Sequence, residues 1–451
     1  MRRWIAMVLG LLAVGASAGT AQTSLTIYSD GRVLARRVVP ARVPAGMSAH
    51  RLELGLLDPG SVFALDSGVV ITGASYDAAV DEANTLRRAL GRRILFWTAG
   101  VRPGSRDTVS AELVGVNPER YRLADGWITY TRPGVPLFPP DLVLSDPSLT
   151  LTVRSDRART ALGLGFFSSG ASWQASYDVQ LGRGTARVGG RATVTAGPIA
   201  ADSVEVQLVA GEVSRPAQKP VPMREFAVAA RAVAADVATE EGIGEVHLYT
   251  LPGRLRLVPG LETTTMLFEP VVTGYERTYT VRGQLPYWGG LPQYGEESTE
   301  PVRVTFVVRH AAKTDFGDRP IPGGVARVYE RDQAGRPQLV GEATIAHTAA
   351  GQDLRLDAGV AFDLTAKRVQ SSYSTRRDSL RTIATAAYTV TIASAKDSAV
   401  TVDVLEMRGG EWSVLSSSVP AEKVSSTITR FRVRVPAKGE ATLRYSVRVV
   451  W

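Results

Sequence analysis

Between residues 430 and 435, Phe431, Val433 and Val435 alternate with Arg430, Arg432 and Arg434. A repeat of two places each set of side chains on its own face of an extended chain, so one face buries and the other meets water. The pattern recurs along the chain. Val302, Val304, Phe306 and Val308 enclose Arg303 and Thr305, and Tyr388, Val390 and Ile392 enclose Thr389 and Thr391. Val400, Val402 and Val404 alternate with Thr401 and Asp403, and Val204, Val206 and Leu208 with Ser203, Glu205 and Gln207. Turns rich in Gly, Pro, Asp and Ser separate these runs at short intervals, which reads as sandwich or Greek-key modules. The expectation is an all-β protein of tandem β-sandwich, immunoglobulin-like modules, with one short helix and one flexible insertion.

The short helix is expected over residues 76–91, where Ala79, Ala83, Leu86 and Leu90 fall at helical spacing, Asp77 stands as N-cap and Gly91 as stop. The insertion is expected over 214–242. It opens on the breaker-rich run from Arg215 to Pro222 and continues into an alanine-rich stretch, 224–238, with Phe226, Ala230, Val233 and Val237 on one helical face. At 451 residues the chain exceeds what one core serves. Three blocks follow the leader: 22–141, a β-rich domain holding the helix; 142–300, a sandwich module holding the insertion; and 301–451, the most regular alternation. Two segments, Tyr177 to Val209 and Tyr388 to Val414, share a strand–turn–strand–turn–strand outline.

The leader is residues 1–21. Arg2 and Arg3 precede an apolar run from Trp4 to Gly15, and small residues at Ala16-Ser17-Ala18, or at Gly19-Thr20-Ala21, suit cleavage. That order is a secretory signal peptide, and the run is too short to span a bilayer. Export to the periplasm or beyond is expected, with outer-membrane association as an option, and no later stretch is long enough for a transmembrane helix. There is no cysteine, so the modules must be held by ordinary cores, and thiolate chemistry and cysteine-built zinc sites are excluded.

The formal net charge is +8, and of the 52 basic residues only six are lysine. The arginines are dispersed along strands without stacking aromatics between them, so no nucleic-acid partner is expected. A basic surface of this kind suits anionic lipid, lipopolysaccharide or acidic glycans.

Spread through the chain is a set of residues that resembles an exported bacterial family defined by a C-terminal domain of unknown function, which includes mucoidy-inhibitor-like proteins. Tyr76-Asp77 is followed by Leu90-Gly91-Arg92; then come Trp173, Tyr177, Val179 and Leu181, and Tyr249-Thr250-Leu251-Pro252. Pro322-Gly323-Gly324-Val325 leads into Arg327-Val328-Tyr329-Glu330, Gly341-Glu342 and the run from Gly359 to Leu364. Trp412, the run from Val435 to Gly439, Leu443 and Tyr445 complete the set. Longer members carry a coiled coil that this chain lacks. The turn Ala196-Gly197-Pro198-Ile199 also lacks the family's Asn and Trp. The resemblance implies an exported, β-rich protein and supplies no catalytic residues.

The motifs of chemistry are missing. The four histidines, His50, His247, His310 and His347, have no ligand spacing, and there is no His-Glu-x-x-His, Gly-x-Ser-x-Gly or Walker loop. Gly163-Leu164-Gly165 lacks a third glycine, and Asp315-Phe316-Gly317 lacks every other kinase element. No enzyme, cofactor or metal is therefore expected. The function expected is a non-catalytic envelope protein that binds a protein or a glycan, or acts structurally. Paired carboxylates leave no fixed spacing, so a hydrolase of envelope polysaccharide or peptide stands as one alternative. An outer-membrane barrel is another, from the alternating C-terminal strand Leu443, Tyr445, Val447, Val449 and Trp451. The candidate contact residues for a partner or glycan are Tyr287, Trp288 and Tyr294, on the turn-rich stretch 286–294.

Overall fold

The computed structural model describes residues 23–99, 106–143, 146–211, 238–243, 245–283, 295–378, 381–407 and 411–450. They form strands almost throughout, with one α-helix, and divide into two compact units. The chain passes between the units more than once. The first comprises the residues up to Trp173 with Val194–Val209 and Gly253–Thr263; the second comprises Gln174–Thr193, Ala210–Pro252 and Thr264 onward.

In the first unit Ser24–Tyr28 lies parallel to Ala201–Ala210, with Leu25 beside Val206, and antiparallel to Arg32–Val43, which pairs in turn with Arg159–Ser169. Leu25, Ile27, Val33, Leu162, Leu164 and Phe166 bury on this sheet. A three-stranded sheet places Ser148–Ser155 between Gly46–Glu53 and Val69–Asp77. A five-stranded sheet runs in the order Val135–Leu137, Arg93–Ala99, Arg106–Val116, Glu119–Arg122, Ile128–Thr129. Its inner face carries Ile94, Phe96, Ala111, Leu113 and Tyr121, which pack with Leu86, Ala89 and Leu142.

The helix is shorter than the periodicity predicts, spanning Glu82–Arg88 instead of 76–91. Its cap is Asp81, whose carboxylate accepts from Asn84 N at 2.8 Å. Asp77 is the last residue of the preceding strand and pairs with Ser148, so the sheet claims the residues that the helical spacing had assigned to a first turn. At the other end Leu90 is exposed, and Gly91 takes φ +78 and donates to Leu113 O.

The second unit is a sandwich. One sheet is built on Glu262–Arg282, which pairs in parallel with Val400–Met407 and antiparallel with Arg303–Val308. It continues through Ile428–Val435 to Ala421–Lys423. Toward its other end Ala175–Leu181 pairs in parallel with 324–330. The facing sheet runs Glu297–Glu300, Leu364–Asp378, Arg381–Ser394, Glu440–Val450, Glu411–Ser417. Val281, Val390, Ile392, Val402, Val404, Phe431, Val433, Leu443, Tyr445 and Val447 fill the space between them.

The predicted alternations at 388–392, 400–404 and 430–435 are therefore strands with one buried face, that at 302–308 becomes the strand Arg303–Val308 on which Val307 is buried along with Phe306 and Val308, and the fold is all-β and sandwich-like. The C-terminal strand is an interior strand of this sandwich, and no sheet closes into a barrel among the described residues. The tail of the expected insertion is also ordered differently: Thr239–Ile243 pairs antiparallel with Val246–Thr250, so residues 239–242 belong to a hairpin. Residues 1–22 and 212–237, with the leader and most of the alanine-rich stretch, lie outside the described residues. Among the described residues no helix is long and apolar enough to cross a membrane.

Candidate binding surface

Tyr287, Trp288 and Tyr294 lie outside the described residues. The described residues on either side of that stretch are Gly283, whose N–H donates to Leu405 O, and Gly295, whose N–H donates to Gln370 O.

The histidines are held by separate local contacts. His50 Nε2 lies 2.8 Å from Ser48 Oγ, and His247 Nδ1 lies 2.7 Å from Glu240 Oε1. His347 Nδ1 accepts from Gly323 N at 3.0 Å. The buried His310 has both ring nitrogens on main-chain carbonyls, Nδ1 at 3.0 Å from Gln352 O and Nε2 at 2.8 Å from Phe316 O. A ring so engaged has no lone pair directed at a ligand. No group of three or more metal-ligating side chains forms among the described residues.

Two carboxylates, Glu300 and Glu406, do converge on one side chain, Arg368, and all three are buried between the sheets of the sandwich. Burial works against the charged guanidinium, but Glu406 and Tyr445 outweigh it and hold the Arg368 pKa above that of an ordinary arginine. A carboxylate pair working on a glycosidic bond needs room for substrate and water between the two groups. Here the guanidinium occupies that position inside a packed core.

The feature that stands apart is the outer face of the five-stranded sheet. The stretch Ile94-Leu95-Phe96-Trp97 is apolar without alternation. A strand apolar on both faces is normally covered on both. Ile94 and Phe96 point inward and are buried; Leu95 and Trp97 point outward and remain 47% and 41% exposed. Register places Val135 beside Trp97 and Leu137 beside Leu95, so four apolar side chains form one block. Gly134 makes this possible, because a Cβ there would sit 2.1 Å from the carbonyl oxygen of Trp97.

On the far side of the Arg93–Ala99 strand the block meets Thr108 and Ser110, and next to it runs the charged row Arg93, Glu112, Arg122, with Arg122 Nη1 3.2 Å from Glu112 Oε2. Ile128 ends that row, and Trp127 and Tyr130 beside it are the most exposed aromatics of the sheet. An apolar centre bordered by hydroxyls and arginine has the anatomy of a protein–protein contact. Sequence reasoning looked for aromatics on loops and missed this block; the four-residue apolar run was the signal.

A salt-bridged corner holds the sheet in shape. Arg132 reaches Glu119 and Glu82, each at 2.6 Å, and Tyr121 OH donates to Glu119. The Arg132 guanidinium holds the Glu119 carboxyl below the usual range. Burial, and after it the hydrogen bond to Glu119, pushes the Tyr121 phenol up to about 12.

No protein-family model matches the chain, and no curated protein matches it by sequence.

Proposed function

We propose that this is a non-catalytic binding protein of the bacterial cell envelope, which holds a protein partner against the outer face of its five-stranded sheet. The observation that carries the reading is the outward block of Leu95, Trp97, Val135 and Leu137, of which the first three are exposed, on a strand whose inner residues Ile94 and Phe96 are buried. Covering the exposed parts of these four side chains is worth roughly 4 kcal/mol, or about a thousandfold in affinity before the costs of association. A sugar would use the ring of Trp97 but has little use for three aliphatic neighbours, which favours a protein surface. Docking is by the face, because Pro136 removes a main-chain donor from the edge strand and blunts it against strand addition. The envelope placement rests on the leader-like residues 1–21 and on the family resemblance.

The test is a photo-crosslinking amino acid placed at Val135 in cells, with one at Arg154, on another sheet, as control. A single protein adduct at Val135, absent at Arg154 and lost with Leu95→Ser, supports the reading. Equal labelling at both positions, or adducts to glycan alone, would refute it.

A further inference from the structure

The second unit carries a different surface. The outer face of its larger sheet can be read off the register in rows. Arg303 lies beside Thr280, Thr280 beside Asp403, and Asp403 beside Arg432. In the row to one side Arg282 lies beside Leu405, and Leu405 beside Arg430; in the row to the other side Thr401 lies beside Arg434. Five guanidiniums thus share a face with the hydroxyls of Thr278, Thr280, Thr305 and Thr401. The carboxylates among them are Asp403, Glu422, Asp357 and Glu276, the last with Arg309 Nη2 3.8 Å from its Oε2.

Those carboxylates are taken. Arg430 Nη2 lies 2.6 Å from Glu422 Oε1 and its Nη1 3.7 Å from Asp403, and Arg432 Nη2 lies 3.3 Å from Glu422 Oε2. Asp357 accepts from Thr305 Oγ1 at 2.7 Å. Arg282, Arg303 and Arg434 are exposed and, among the described residues, face no carboxylate within ion-pair distance, so the face keeps a positive excess. We infer that this face binds a linear acidic polysaccharide, its carboxylate or sulfate groups on Arg282, Arg303 and Arg434 and its hydroxyls on the interleaved threonines.

Charge complementarity selects a polyanion, and the rest of the face selects among polyanions. Strands about 4.8 Å apart and residues about 3.4 Å apart along each strand put Arg303 about 8 Å from Arg282 and about 16 Å from Arg434, spans that an extended sugar chain covers with about one to three residues. Nucleic acid would want aromatic platforms, and these rows contain none. A bilayer would want an apolar anchor, and the only apolar side chain in these rows, Leu405, is half-buried. Neutral hydroxyls between fixed charges are what a sugar chain can use.

The experiment measures binding of the full chain to polygalacturonate by calorimetry, with neutral dextran and anionic phospholipid vesicles as comparators. The variant Arg282→Gln/Arg303→Gln/Arg434→Gln is set against Arg51→Gln/Arg154→Gln/Arg157→Gln, which removes equal charge from the other unit. Thermal unfolding checks that both triples fold. Binding to polygalacturonate that weakens with salt, falls about tenfold in the first triple and is kept in the second, supports the site. Three results would overturn it: no binding by the unaltered chain, equal loss in both triples, or binding to vesicles without binding to polygalacturonate. The assay uses none of the residues of the apolar block, so its failure and the failure of the protein-docking reading are separable.

Discussion

Arg368 and Glu406 belong to facing sheets of the sandwich and form an ion pair in its core, one partner from Leu364–Asp378 and the other from Val400–Met407. Arg368 Nη1 also donates to Tyr445 OH at 2.7 Å, and its Nε lies 3.9 Å from Glu300 Oε1. Gly283 leaves the space, since a Cβ there would come within 2.5 Å of both Arg368 Nη2 and Glu406 Oε1. A buried pair of this kind adds little net stability over an apolar substitute, but a lone buried charge is costly. Glu406→Gln, which leaves Arg368 only Glu300 at 3.9 Å, should therefore destabilise the sandwich by about 3–5 kcal/mol, while Arg368→Met/Glu406→Leu/Glu300→Gln, which strands no charge, should lose distinctly less. Urea unfolding followed by tryptophan fluorescence gives both numbers. A triple variant worse than the single would show that the ion pairs are themselves a main source of stability.

The corner at Tyr121 should make the first unit sensitive to alkali. Its folded phenol is pushed up to about 12, above the value of about 10 expected in the unfolded chain. A raised pKa gives stability that is complete below the unfolded value and is lost as pH rises toward the folded one. Melting temperature should therefore fall between about pH 10 and 12. In Tyr121→Phe that alkaline slope should flatten, although the variant starts lower for want of the bond to Glu119. Glu119 acts at the other end of the scale. Its carboxyl is depressed chiefly by Arg132 and also by the Tyr121 hydroxyl, so its contribution is present above the unfolded carboxylate pKa and fades in acid, and Arg132→Gln should weaken that acid dependence.

Leu95→Ser/Trp97→Ser should separate binding from folding. Both side chains point away from the inner cluster of Ile94, Phe96, Leu113 and Tyr121, so the melting temperature should move little. Retention of the partner found by crosslinking should fall by at least about tenfold, given the apolar area withdrawn. A pull-down quantified against the unaltered chain reads the second effect, and calorimetry the first. A large loss of stability with the partner retained would assign these side chains to the fold.

Much of the architecture was legible because alternation acts at the level of single strands. Val302 to Val308 and Phe431 to Val435 each announce a buried face whatever they pair with. What they pair with was not legible: Ser24–Tyr28 meets Ala201–Ala210 in parallel across most of the first unit's sequence, and only tertiary packing selects that neighbour. The helix at 76–91 was over-read for a related reason. Ala79, Ala83 and Leu90 satisfy a helical period, but Tyr76 and Asp77 gain more by pairing with Leu149 and Ser148. The aromatic stretch 286–294 drew attention by composition, and Leu95 and Trp97 escaped it because each is ordinary alone. Their meaning appears when Val135 and Leu137 are set beside them from forty residues away.

Gly134 tests whether that juxtaposition is what matters. A Cβ at this position would stand 2.1 Å from Trp97 O and 2.9 Å from Trp97 C, both main-chain atoms that a side-chain rotation cannot move. Gly134→Ala must therefore push the Val135–Leu137 strand away from Arg93–Ala99, breaking the apolar block at its centre without altering any of its four side chains. The inner cluster draws on Ile94, Phe96, Ala111 and Leu113, which lie on the strands that stay paired, so the unit should remain folded with a loss of about 1–3 kcal/mol. Partner capture should fall as far as in Leu95→Ser/Trp97→Ser. Hydrogen exchange should show faster exchange at Val135 and Leu137, with the amides between Arg106–Val116 and Glu119–Arg122 unchanged. If exchange quickens in this way and capture is untouched, the partner does not need the four side chains together, and the docking face must be sought elsewhere on the molecule.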